Sequence, residues 1–343
     1  MTNSKESTLQ QLLGACLPSE DVQALLRTVK VAPSVLDEAG PEVLRAVVAQ
    51  ALNLLLFRDL LTRVPTGQRY VAECVAEGRQ VMFDHGALRT VALAGMGDLP
   101  AGEVAITRVL LPLGYKMTAV YPLDRLGMTG RSYTHNELPE ELPQFFVSGL
   151  HPERFSPGFQ KAVARVTASS RDPLTESASN ALLELSDRGR LSFQQAVTLL
   201  PILLACFQRQ HADAAWSDYQ TLLAESAEMA WIATEGNVFN HATDRVPSLE
   251  TLVAGQRRLG RPLKDTIETS KSGRVRQTAF RADPVERSFI DPNGAVLRRS
   301  VPGSFYEFIQ RERLRDPVTG KTRLDLAFDS SNAQGIFKMT AAA

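Results

Sequence analysis

The chain has 343 residues, 44% of them apolar and 22% charged, an ordinary globular composition with length for one large domain or two smaller ones. Lys plus Arg and Asp plus Glu are equal at 38 each, so no global field draws it to nucleic acid or to an anionic membrane, and neither partner is expected. The arginines at 298–299 and 311–315 read as solvated faces.

Residues 1–80 read as an N-terminal helical layer. Leu9, Leu12 and Leu13 begin a short amphipathic turn, and Val22, Leu25 and Leu26 continue one. A longer helix is predicted over Pro41–Arg63, with Leu44, Val47, Val48, Ala51, Leu55 and Leu61 as its apolar stripe, and another over Gln68–Arg79. Met1 to Glu6 leads into polar residues with no apolar stretch, so no secretory leader is expected.

Residues 81–171 read as a strand-helix-strand-strand-strand unit. Its strands are Phe83–Val91, Tyr115–Leu123, Met128–Thr134 and Gln144–Leu150, and its helix runs from about Glu103 to Gly114. Residues 172–231 form a helical insertion. Thr175 caps a helix ending near Gly189, Ser192 and Gln195 form a capping box, Pro201 bends the next helix, and Ala214–Met229 carries an aromatic and aliphatic stripe read as core. The apolar run 196–207, broken by Thr198 and Pro201, is too short to span a bilayer.

The first pattern returns over residues 232–315. A strand around His241 is followed by a helix closed by Gly260, then by strand candidates Thr266–Ser270, Arg274–Arg281 and Phe305–Gln310. Ser288–Ile290 and Ala295–Arg299 flank a turn at Asp291-Pro292-Asn293-Gly294. A C-terminal segment, 316–343, places Leu324, Leu326 and Phe328 over the core. Cys16, Cys74 and Cys206 follow no metal-ligand spacing and read as reduced thiols of a cytoplasmic protein. His135, His151 and His211 are expected on the surface.

The chemistry concentrates on the two echoing strands, Phe83-Asp84-His85-Gly86-Ala87-Leu88-Arg89 and Phe239-Asn240-His241-Ala242-Thr243-Asp244-Arg245. At a period of two, Phe83, His85, Ala87, Arg89 and Val91 share a face of a half-buried strand, with His85 and Arg89 about 13 Å apart. Equivalent strands of paired units would bring His85 and His241 to one cavity. Glu307, between Phe305 and Ile309, then has two readings: third ligand of a divalent cation, or ion-pair partner of Arg276 or Arg89. Two histidines and a carboxylate suit non-haem Fe(II), and Zn(II) uses similar ligands. Asp84, Asn240 or backbone carbonyls would orient the second imidazole nitrogens. Arg89 reads either as a clamp for a substrate carboxylate or as a structural pair, and Gln277 either lines the same cavity or faces solvent. Arg245 reads as a structural ion pair. No G-x-G-x-x-G, P-loop, G-x-S-x-G or H-E-x-x-H occurs, which removes dinucleotide, ATP, serine-hydrolase and zincin readings.

The segments H-G-A-L-R-T, N-H-A-T-D-R-V, V-R-Q-T-A-F and P-G-S-F-Y-E-F-I-Q-R resemble the motifs of the 2-oxoadipate dioxygenase/decarboxylase family, related to the vicinal oxygen chelate (glyoxalase-like) superfamily. The resemblance runs from about residue 40 to 340. It implies an α+β fold of paired βαβββ units curled into a barrel-like sheet, with helices outside. It also implies His85, His241 and Glu307 as Fe(II) ligands and Arg89 as the substrate clamp. The implied reaction takes 2-oxoadipate, a small 2-oxo dicarboxylic acid, and O2 to 2-hydroxyglutarate and CO2 in lysine breakdown. The carboxylate strand reads F-Y-E-F-I-Q-R where longer members read F-G-E-I-E-Q-R, and only the first glutamate is retained, in keeping with Glu307 as ligand. The chain is also shorter than those members and lacks segments that would shape the distal pocket, so the resemblance fixes the identity of the 2-oxo acid less than the metal chemistry. A glyoxalase-like lyase or isomerase using Zn(II), Ni(II) or Mn(II) is the alternative, and it would need a second ionisable group.

Overall fold

The computed structural model describes residues 6–315 and 317–329. Its centre is an eight-stranded sheet of Phe83–Val91 (β1), Tyr115–Leu123 (β2), Met128–His135 (β3), Gln144–Leu150 (β4), Phe239–Arg245 (β5), Glu268–Thr269 (β6), Val275–Ala279 (β7) and Phe305–Arg311 (β8). The spatial order is β2-β3-β4-β1-β5-β8-β7-β6. Each half places its leading strand innermost, then its last, third and second. β1 and β5 meet antiparallel at the seam, while β1 pairs parallel with β4 and β5 parallel with β8. This is the paired βαβββ arrangement, and it puts the two histidine strands side by side.

Apolar layers cover both faces of the sheet. On the outer face lie helices Arg45–Arg63 and Pro65–Ala76, with Phe57 5.0 Å from Phe83 and Tyr70 4.8 Å from Phe308, ring centre to ring centre. The concave face is closed by helices Pro157–Thr167, Trp216–Glu225 and Ala227–Glu235 and by the hairpin Pro284–Ile290/Val296–Pro302, which contributes Phe289 and Val301. Each large side chain buried this way contributes roughly 1.5–3 kcal/mol. Double cover explains why β1 is buried along its whole length, where alternation alone predicts a half-buried strand.

Several expectations are corrected. The long helix starts at Arg45 rather than Pro41, because Glu42–Leu44 pairs antiparallel with Arg190–Ser192. Its successor spans Pro65–Ala76, with Pro65 supplying the pre-set φ of a first helical position. The Ala214–Met229 helix is two helices, broken at Ser226, whose hydroxyl accepts from Met229 N–H and caps the second. His135 and His211 are buried, not exposed: Leu113 O faces one imidazole at 3.1 Å, and Ala212 O and Ile232 O face the other at 3.0 and 3.1 Å. In the C-terminal segment, Thr322–Leu324 forms a short strand and Phe328 packs against the core, while residues 330–343 lie outside the described residues. No helix among the described residues is long and apolar enough to cross a membrane.

Candidate metal centre

His85 on β1, His241 on β5 and Glu307 on β8 converge on the concave face from three adjacent strands. Register explains the meeting. His85 lies opposite Thr243, His241 opposite Phe305, and Glu307 opposite Thr243. Register shifts between Phe83 and His85, and again between Ala87 and Leu88, flank the first histidine. Such irregularities re-aim side chains. The first one turns Phe83 outward onto Phe57, so it does not share the His85 face as strict alternation predicts. Gly86 belongs there for a different reason: a Cβ at this position would lie 2.2 Å from the ring of Phe239.

One ligating atom from each of the three residues fits within 4.8 Å of the others, and all three residues are buried. Glu307 Oε2 stands 3.4 Å from His85 Nε2 and 3.3 Å from His241 Nε2, and the imidazoles are nearly perpendicular with centres 5.6 Å apart. Both His241 nitrogens and Glu307 Oε1 are buried with no hydrogen-bond partner among the described residues. Leaving such atoms unmatched is costly, and a cation among the three residues would relieve part of that cost. Burial works against the charge on Glu307, yet the two imidazoles hold its carboxyl well below the ordinary range. Burial pushes His241 down, and Glu307 only partly opposes this. Burial also acts to lower His85, but Asp84 and Glu307 outweigh it and raise its pKa.

Around this group lies a polar frame. Asp84 Oδ1 is 2.8 Å from His85 Nδ1, the orienting contact foreseen for it. Arg311 grips the same carboxylate from Nε and Nη2 at 2.9–3.1 Å, and Arg245 reaches it at 3.6 Å. Arg311, read from sequence as part of a solvated face, is buried. Thr243 donates its hydroxyl to Glu307 Oε2 at 2.6 Å and lies 3.1 Å from His85 Nε2. Nothing in the sequence singled out this threonine, because its place depends on how β5 and β8 pair.

Arg89 is fully buried on β1, its guanidinium 4.9 Å from the centre of the Trp231 indole. Burial lowers its pKa to about 10 against the attraction of Glu228. The ion-pair alternative for Glu307 through Arg276 does not form, since Arg276 pairs with Glu250. Gln277 is buried rather than solvent-facing and sits opposite Ile309, two residues along the ladder from the Glu307–Ala279 pair. Across from it on β6 lies Glu268, paired with Lys264. Burial raises the Glu268 pKa.

The sequence profile of the 2-oxoadipate dioxygenase/decarboxylase family matches residues 56–338. The chain belongs to that family. Among curated members, the chloroplastic/amyloplastic 2-oxoadipate dioxygenase/decarboxylase of Oryza sativa subsp. japonica is 24% identical over 302 residues, covering 82% of this chain and 75% of the relative. The chloroplastic enzyme of Arabidopsis thaliana is 22% identical over 329 residues, covering 88% and 78%. A crystal structure assigned to the glyoxalase superfamily, from Ralstonia eutropha JMP134, is 52% identical, covers 94% of this chain and 98% of its own, and superposes with a TM-score of 0.88. The hydroxyglutarate synthase of Oryza sativa, solved with 2-oxoadipate, shares the fold with a TM-score of 0.67 at 19% identity, covering 92% and 98%. Membership makes the chain one of a family of enzymes whose name implies dioxygen chemistry, and the buried His-His-Glu group could hold a metal ion.

Proposed function

We propose that the protein converts 2-oxoadipate, or a 2-oxo dicarboxylic acid close to it, and O2 to 2-hydroxyglutarate and CO2, with Fe(II) held by His85, His241 and Glu307. The observation that carries this reading is the buried set of two imidazoles and one carboxylate, with His241 and one oxygen of Glu307 unmatched, in a chain of this family. That ligand set leaves coordination positions open for substrate and oxygen, as non-haem iron oxygenases require. When bound, Fe(II) supplies the template and the redox chemistry with O2.

The chain's own residues position, neutralise and exclude. Asp84 accepts from His85 Nδ1, which leaves Nε2 with a lone pair facing Glu307 and His241. Thr243 holds one oxygen of Glu307 and so fixes how its carboxylate is presented. Arg89, kept in place beneath Trp231, offers a planar cation to the substrate carboxylate away from the metal. Phe305, stacked 4.8 Å from His241, and Phe328, 4.8 Å from His85, keep water from the imidazoles. Gln277 lines the substrate side of Glu307. We place the enzyme in the cytoplasm, which its three free thiols support.

The test is an anaerobic reconstitution with Fe(II) followed by addition of O2 and 2-oxoadipate. Oxygen uptake and CO2 release in equal amounts are expected, with none from the metal-free protein. Glu268 is the one observation favouring a glyoxalase-like lyase with Zn(II), Ni(II) or Mn(II), since it is a second acid near Glu307. Its ion pair with Lys264 ties it up as a proton carrier. Turnover with Zn(II) under nitrogen would replace the first reading by this one.

A further inference from the structure

Arg311 has two working edges. Nε and Nη2 hold Asp84, the carboxylate that orients His85. Nη1 donates to Asp325 O at 3.0 Å and to Ala327 O at 2.7 Å, and the guanidinium lies 4.9 Å from the centre of the Phe328 ring. Segment Asp325–Phe328 is thereby drawn across the concave face. There Phe328 meets the His85 ring edge-on, 4.8 Å and 88° between planes, and packs 5.1 Å from Phe146. Its amide donates to the Tyr121 hydroxyl at 3.2 Å, and the Ala327 amide donates to Asp325 Oδ1 at 3.1 Å. The Arg311 side chain has no solvent exposure.

We infer that Arg311 is a positioning residue that makes the seating of strap 325–328 and the aim of His85 a single event. A guanidinium is planar and rigid, so the direction of one edge dictates that of the other. With the strap lifted, Arg311 loses two carbonyl acceptors and an aromatic face, Asp84 loses its fixed partner, and His85 loses both its orienting carboxylate and the ring against it. The coupling is reciprocal: an ion that fixes His85 must hold the strap down by the same factor. The inference rests on His85 being a metal ligand, as proposed above.

Two readouts test it, using full-length protein and Zn(II) as an air-stable probe: affinity by chelator competition, and hydrogen exchange of the Ala327 and Phe328 amides. Zn(II) should slow exchange at both amides in the wild type. Arg311→Lys, which keeps the charge but not the fork, and Phe328→Ala should each weaken Zn(II) binding about 10-fold, the lower end of what loss of a ligand-orienting group costs. Both variants should also exchange faster at the strap. Phe328 is partly exposed, so its variant carries the test should Arg311→Lys not fold. Faster strap exchange in Phe328→Ala with unchanged Zn(II) affinity overturns the coupling alone. Wild-type affinity unaffected by His85→Ala overturns the ligand assignment beneath it.

Discussion

Thr243 donates its hydroxyl to Glu307 Oε2 at 2.6 Å from the neighbouring strand, at the same rung of the β5–β8 ladder. The bond fixes the oxygen that faces both imidazoles, and Oε1 of the same carboxylate is buried without a partner among the described residues. Thr243→Val keeps the shape and removes the bond. Metal affinity should fall about 10-fold while Thr243→Ser stays near wild type, as titration with chelator competition would read.

Metal binding should raise thermal stability. An ion at 100 times its dissociation constant adds about 2.7 kcal/mol, and chelator should remove this fully. In His241→Ala, differential scanning fluorimetry should find no metal-dependent rise in Tm. A rise equal to that of wild type would move the ion elsewhere.

Arg89→Ala should raise KM for a 2-oxo dicarboxylate at least 10-fold more than for a 2-oxo monocarboxylate of the same length. Only the former presents a second carboxylate to the lost guanidinium. Steady-state oxygen uptake with the two substrates gives the ratio, and equal changes would remove the clamp role.

Asp244 should set a pH dependence of stability. Burial lifts its pKa to about 6, although Tyr70 donates to one oxygen and the Met82 amide to the other. That is above the unfolded value, so the folded chain holds the extra proton between about pH 4 and 6. The stability this proton confers is full below that window and is lost as pH rises through 6. Asp244→Asn, which is always neutral, should therefore gain on wild type by up to roughly 3 kcal/mol at pH 7.5 and show no gain at pH 4. Urea melts at the two pH values decide it.

The strands that bring His85, His241 and Glu307 together were legible because the chain writes their pattern twice and because Glu307 sits among apolar neighbours, where a lone carboxylate requires a counter-charge. The strand-helix-strand-strand-strand order was legible for the same reason. Thr243 and Arg311 were not, since each acts through a partner fixed by the sheet: Arg311 and Asp84 lie 227 residues apart. A threonine in a strand reads as β-propensity, and an arginine next to Glu312 and Arg313 reads as surface. His135 and His211 were misplaced because polar sequence around a histidine does not reveal backbone carbonyls folded in to meet it.

The antiparallel seam between β1 and β5 gives each half of the molecule one imidazole and neither half two. A fragment ending before the helical insertion would carry a single histidine of the centre, and its complement the other histidine and the acid. Separated, they could grip an ion only as strangers meeting in solution; joined, they do so at the effective concentration of a tether. The polypeptide between them would therefore be part of the binding constant of an ion held by His85, His241 and Glu307.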